Sequence, residues 1–242
     1  MIEVRNLRKS FEGKEVLKGV NLDVQEGETM VILGPSGQGK TVFLKCLIGI
    51  IKPDLGSIKV DNVDIVKLSK RKLYELRKKF GFVFQHGALF DFLTVKENLA
   101  LYLTMHTHLR KSEINEKVKQ ALAVVGLEEA ADLYPEELSG GMKKRAAIAR
   151  AIIQDPKYIL YDEPTAGLDK KNAQIVNELI NSLRDKFGVT SIVVTHDIAC
   201  METVADRVAL MRRGEIIFVG RKDEIKPSML DFVYEIGGEN GI

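Results

Sequence analysis

Apolar and polar residues alternate at the start of the chain, where "IEVRNL" (2–7) and "VNLDVQ" (20–25) each repeat with period 2. Such alternation turns one face of a strand to a core and the other to water. Two antiparallel strands joined through the turn-like "EGKE" (12–15) are therefore expected. The pattern then changes. "TMVILG" (29–34) is a continuous apolar run closed by Gly, as for a buried strand of a parallel sheet. "KTVFLKCLIGII" (40–51) reads as a helix stopped at Pro53. Further strands are expected at "SIKV" (57–60) and "FGFVF" (80–84), with the charged helix "SKRKLYELRKK" (69–79) between them.

From about His86 to Ala151 the periodicity is helical. Ser112 is the expected N-cap of one helix, whose stripe Ile114, Val118, Leu122 and Val125 ends before Gly126. Strands return at "YILYD" (158–162) and "TSIVVTH" (190–196). The helix between them is led by Asp169 as N-cap, carries Ile175, Leu179 and Leu183 on one face, and stops at Gly188. A last hairpin, "RVALMRRGEIIFVG" (207–220), turns at Gly214. These elements predict an α/β chain with a parallel-sheet core, an antiparallel β edge and an inserted helical subdomain. The expected layout is one domain over 1–242: core and antiparallel part at 1–85 and 152–242, inserted helices at 86–151.

Composition narrows the partners. Thirty-six basic against 34 acidic residues leave a net charge of +2, too little bulk field to suggest a nucleic-acid partner. Cys46 and Cys200 lie far apart without metal-ligand spacing and read as reduced, buried thiols of a reducing compartment. The opening "MIEVRNLRKSF" has no apolar core of a signal peptide. No apolar run approaches the roughly 20 residues of a membrane-spanning helix. Any membrane role is expected to be borrowed from a partner.

Chemistry concentrates at strand ends. "GPSGQGKT" (34–41) follows a strand, opens a helix and matches the P-loop pattern. Its glycines let backbone N–H groups wrap phosphates at a positive helix terminus, which makes Gly34, Pro35, Ser36, Gly37, Gln38, Gly39 and Val42 candidate nucleotide-binding residues. Lys40 is placed to bridge the β- and γ-phosphates of ATP, and the Thr41 hydroxyl to hold Mg²⁺. The strand "YILYDE" ends in Asp162, a partner for Mg²⁺ through water, and Glu163, a candidate general base for the attacking water. An isolated acidic pair would by default be a helix-start signal; a P-loop in the same chain changes that weighting.

His196 ends the next strand and can report the γ-phosphate, or be a satisfied structural histidine. Gln85 ends "FGFVFQ" and can reach the metal or the water, or be simply exposed. Phe11 can stack on adenine or fill the core, and spacing alone leaves that even. A second cradle, Ser139, Gly140 and Gly141 in "LSGGMKKRAA", heads another helix. Hydroxyl, backbone and dipole there can serve the nucleotide of a second copy, unless the stretch is only a capped turn.

The ordered set of Phe11, 34–41, Gln85, "LSGGM", "YILYDEP", "AGLD" and His196 resembles the A-loop, Walker A, Q-loop, signature, Walker B, D-loop and switch histidine of ABC transporter ATPase subunits. The resemblance covers essentially the whole chain and implies a P-loop NTPase (RecA-like) fold. It also implies ATP and Mg²⁺ as cofactors, catalysis by Glu163 with Gln85 and His196, and a homodimer with a second ATPase copy. Ser139, Gly140, Gly141 and Asp169 would then complete the partner's site. "FQHGALF" and the Met of "LSGGM" are similar to the ATPases of Mla/Mce-type phospholipid transporters. That likeness implies a lipid cargo, an integral membrane permease, an MCE substrate-binding protein and a small regulatory subunit. The chain would lie in the cytoplasm, peripheral on the inner face of the membrane. His86 stands where the usual pattern has Ser, Met142 replaces the signature Gln, and the tail from Leu230 is short.

Overall fold

The computed structural model describes residues 1–234. Residues 235–242, the last part of the tail from Leu230, lie outside the described residues. In chain order the elements begin with β1 Ile2–Phe11, β2 Lys14–Val24, β3 Thr29–Leu33, α1 Lys40–Leu47, β4 Leu55–Val60, β5 Val63–Asp64 and α2 Lys70–Arg77. Then come β6 Phe80–Val83, α3 Val95–His106, α4 Lys111–Val125, α5 Gly140–Ile152, β7 Tyr158–Asp162 and α6 Lys170–Phe187. The last are β8 Thr190–Thr195, α7 Ile198–Val204, β9 Arg207–Arg212, β10 Glu215–Arg221 and α8 Pro227–Tyr234.

Two compact units divide the chain: Met1–Arg77 with Thr190–Ile242, and Lys78–Val189. In the first unit β1 pairs antiparallel with both β2 and β4, with register shifts that bend the long strands. Its second layer runs in the order β10-β9-β3-β8, with β3 parallel to β8 and β9. All five residues of β3 and all six of β8 are buried, which is why both read as unbroken apolar runs. In the second unit β6 and β7 pair in parallel, and α5 packs so close to β6 that a Cβ on Gly81 would meet the Ala151 carbonyl oxygen at 2.6 Å. β6, β7 and α6 therefore go with α3, α4 and α5, and the unit boundaries fall at 77/78 and 189/190.

Local signals place most helix ends. Asp169 caps α6, its Oδ1 accepting from the Asn172 N–H at 2.9 Å, and Gly188 ends it in the left-handed region. Gly126 ends α4 in the same way. Three expectations need correction. The helix after the P-loop stops at Leu47, well before Pro53, because Gly49 turns left-handed and the Ile50 N–H returns to the Lys45 carbonyl at 2.9 Å. Ser112 is not the cap of α4: Arg110 holds that position, and the Glu113 carboxylate accepts from its N–H at 2.7 Å. On α6 the buried face runs through Val176, Leu179, Ile180 and Leu183, while Ile175 is exposed. Cys46 and Cys200 are buried and free, and burial pushes the Cys46 thiol up to about 11.

Candidate functional site

β3 delivers the chain into a loop whose shape rests on three glycines. Gly37 and Gly39 have φ of 79° and 97°, values that side-chain-bearing residues rarely adopt. Gly34 is required for a different reason: a Cβ there would lie 2.2 Å from the Met211 carbonyl oxygen at the end of β9. Gly34→Ala must shift backbone rather than a side-chain tip. We expect a loss of about 1–3 kcal/mol of stability, read as a lower melting midpoint by circular dichroism. An unchanged midpoint would mean the strand end has more room than this packing allows.

The loop is closed from inside by Lys40, whose ammonium donates to the carbonyls of Gly34 at 2.7 Å and Pro35 at 2.8 Å. Lys40 is almost fully buried, so these carbonyls hold its charge over the loop. Thr41 and Val42 follow in the first turn of α1 and are half-buried; Ser36 and Gly37 are exposed. The Gln38 side-chain oxygen accepts from the Arg213 N–H, fixing the loop from the β9–β10 turn. The Gly34 N–H donates to the Thr195 carbonyl at 3.2 Å, which brings the P-loop beside the end of β8. His196 is the next residue; its ring is exposed, and its own carbonyl accepts from the Tyr234 hydroxyl at 2.8 Å. Phe11 is exposed at the end of β1, with the Lys9 ammonium 5.2 Å from the ring centroid. Its core alternative is thereby excluded.

The second unit holds the carboxylates. Asp162 closes β7 and Glu163 follows; both are buried. Glu163 has φ of 49°, a strained value for a residue with a side chain. The Glu163 and Gln85 carbonyls are joined by one cation: the Lys144 ammonium donates to Glu163 at 2.9 Å and also to Gln85. Gln85 itself is exposed, as is His86. Arg150, two turns further along α5, donates to the Gly87 and Ala88 carbonyls at 2.8 and 2.5 Å. Neither cation stands out in the sequence, because "MKKRAAIAR" reads as a helix with an ordinary charged face. A single signal was available: Lys144 falls in register with the apolar positions Ile148 and Ala151.

Ser139 caps α5, its hydroxyl accepting from the Met142 N–H at 3.3 Å. Ser139 and Gly140 are exposed and Gly141 is buried. The two glycines have different reasons. A Cβ on Gly141 would lie 2.4 Å from the Asn172 side-chain oxygen, whereas one on Gly140 would make only an ordinary contact with Leu168. Asn172 is in turn pinned to both oxygens of Asp169, at 2.9 and 2.6 Å, and these bonds hold the Asp169 carboxyl below the usual range. The start of α5 is thus tied to Asp169, while a residue five positions further along that helix serves Glu163.

Comparison with known proteins gives the following matches. Residues 17–166 match a family model described as ABC transporter. A probable ribonucleotide transport ATP-binding protein of Mycobacterium leprae is 41% identical over 227 residues, 94% of this chain and 65% of that protein. This chain therefore spans 65% of that relative's length. The intermembrane phospholipid transport system ATP-binding protein MlaF of Haemophilus influenzae is 40% identical over 241 residues, 99% of this chain and 91% of that protein. Among solved structures, a dimeric ATP-binding cassette in a post-hydrolysis state, bound to ADP and Pi, is 34% identical. Its TM-score is 0.84, over 91% of this chain and 98% of that one.

Proposed function

The chain belongs to the ABC transporter family as an ABC ATPase, and from that premise we propose that it powers the movement of phospholipid or another lipid through a partner membrane permease. The near full-length match to the phospholipid-transport relative carries the lipid reading. Two copies close head to tail on ATP. Each contributes the loop 34–41 and the Asp162–Glu163 pair to one nucleotide, and Ser139, Gly140 and Asp169 to the other. The exposed, capped start of α5 supports this, since Ser139 and Gly140 lie exposed at the positive end of a helix dipole. Gly141 has its packing reason against Asn172 and adds its N–H to the same terminus.

Within each site Lys40 holds the phosphates, Glu163 takes the proton of the attacking water, and Gln85 and His196 orient water and γ-phosphate. Phe11 offers its exposed ring to adenine. The Thr41 hydroxyl, the Gln85 amide and the Asp162 carboxylate are hard oxygen donors with a single negative charge among them. That set suits Mg²⁺, which keeps waters and takes phosphate oxygens as its remaining ligands. When bound, the ion neutralises charge developing on the phosphates.

Ser139→Arg places a long cation at the contact with the second nucleotide. Turnover should fall roughly 10²–10³-fold, while a single copy binds ATP as before. Phosphate release measured beside nucleotide titration checks this, and loss of both together would remove Ser139 from the shared site.

Closure biases the permease because ATP binds the closed pair better than the open one. The docking face proposed for the permease runs along 85–92, where Phe90 and Phe92 are exposed with ring centroids 5.7 Å apart. No helix among the described residues is long and apolar enough to cross a membrane. In this reading the subunit sits on the inner face of the membrane, held by the permease, with an MCE protein and a small regulatory subunit as further members. The ribonucleotide-transport name of the mycobacterial relative favours a second reading, the same engine with another cargo. Purification of the tagged subunit with its partners in mild detergent, followed by lipid analysis, separates the two. Co-purifying phospholipid with a lipid-binding permease supports the first; a permease without lipid supports the second.

A further inference from the structure

The start of α5 faces outward, but its interior does not. Lys144 is only 6% exposed, and a lysine that deep needs acceptors for its charge. It finds them on two segments distant in sequence, the Glu163 carbonyl at 2.9 Å and the Gln85 carbonyl. Burial draws the ammonium's pKa below the usual lysine range, while the nearby charges of Glu163 and Asp162 act in the opposite sense. Glu163 is also held at φ of 49°, a conformation that persists only where the surroundings over-determine it. Holding a residue's carbonyl restrains its ψ, and φ and ψ together set the direction of its Cα–Cβ bond and the rotamers open to its side chain. The loop after Gln85 has its own anchor in Arg150, which grips the Gly87 and Ala88 carbonyls. Lys144 is therefore not needed merely to keep that loop in place.

We propose that Lys144 is a positioning residue for ATP hydrolysis: its ammonium fixes the backbone of Glu163 in the strained conformation that aims the carboxylate, and locks it in register with Gln85. This rests on the reading of Glu163 as the base and Gln85 as the water-orienting residue. Ser139 caps the same helix, so the start of α5 and the lysine that holds the Glu163 carbonyl lie on one element.

The test uses the full chain with Lys144→Met, which keeps length without donors, and Lys144→Arg, which keeps donors and charge. For Lys144→Met, kcat should fall roughly ten- to a hundredfold with the KM for ATP unchanged, and Lys144→Arg should recover most of that loss. An unchanged kcat in Lys144→Met overturns the inference. So does a loss in which KM rises in parallel and Arg gives no recovery, since that marks a merely structural lysine. Should Lys144→Met fail to fold, Lys144→Gln carries the same test with an uncharged donor too short to reach both carbonyls. It should lose kcat at constant KM, and an unchanged kcat again overturns the proposal. Glu163→Gln is measured alongside. If it still turns over, the assignment of the base has failed; if it is inactive while Lys144→Met matches the wild type, only the role of Lys144 has failed.

Discussion

Glu163→Gln should bind ATP as the wild type does, lose roughly 10²–10⁴-fold in turnover, and accumulate as a dimer. The substitution keeps the shape of the side chain and removes its basicity. Glu163 is buried at the end of β7, and its carbonyl is anchored by Lys144, so an isosteric amide has the same seat. Binding energy that normally disappears on hydrolysis is then retained, and the closed pair persists. Sedimentation with ATP and Mg²⁺, together with phosphate release, reads both effects. A variant that stays monomeric with ATP would count against the shared site, and one that hydrolyses ATP normally would remove Glu163 as the base.

Lys40→Ala should act one step earlier, on affinity. The ammonium donates to the Gly34 and Pro35 carbonyls at 2.7 and 2.8 Å, neutral acceptors beside which a charged phosphate oxygen is the stronger one. Losing a charge-assisted bond of this kind costs about 1.5–3 kcal/mol, or roughly a ten- to hundredfold weaker Kd for ATP. The two loop carbonyls also lose their donor, so the loop should loosen while β3 and α1 remain. Calorimetric titration with ATP measures the shift. An unchanged affinity would take the phosphate-holding role from Lys40.

These two variants differ in legibility as well as in effect. Lys40 and the glycines around it are readable because the strand, the left-handed turn and the helix start lie within a dozen consecutive residues. The capping of α6 by Asp169, its end at Gly188 and that of α4 at Gly126 were legible for the same reason. Legibility ended where a choice depended on a neighbour from elsewhere. Gly49 ended α1 before Pro53 with a left-handed turn packed on Leu73. The cap of α4 went to Arg110 because Glu113 reaches back to its N–H. Phe11 left its two alternatives even until burial decided that the ring is exposed.

The amino-acid order by itself determined which residues are able to form buried strands, phosphate-wrapping turns and capped helices, since backbone preference and periodicity act over a few neighbouring positions. Only the tertiary structure decided that a lysine in an ordinary charged helix lies inside, bridging carbonyls 59 and 19 residues away. A side chain's partners are set by packing between segments, and the cost of burying a charge is met by acceptors that no local pattern announces.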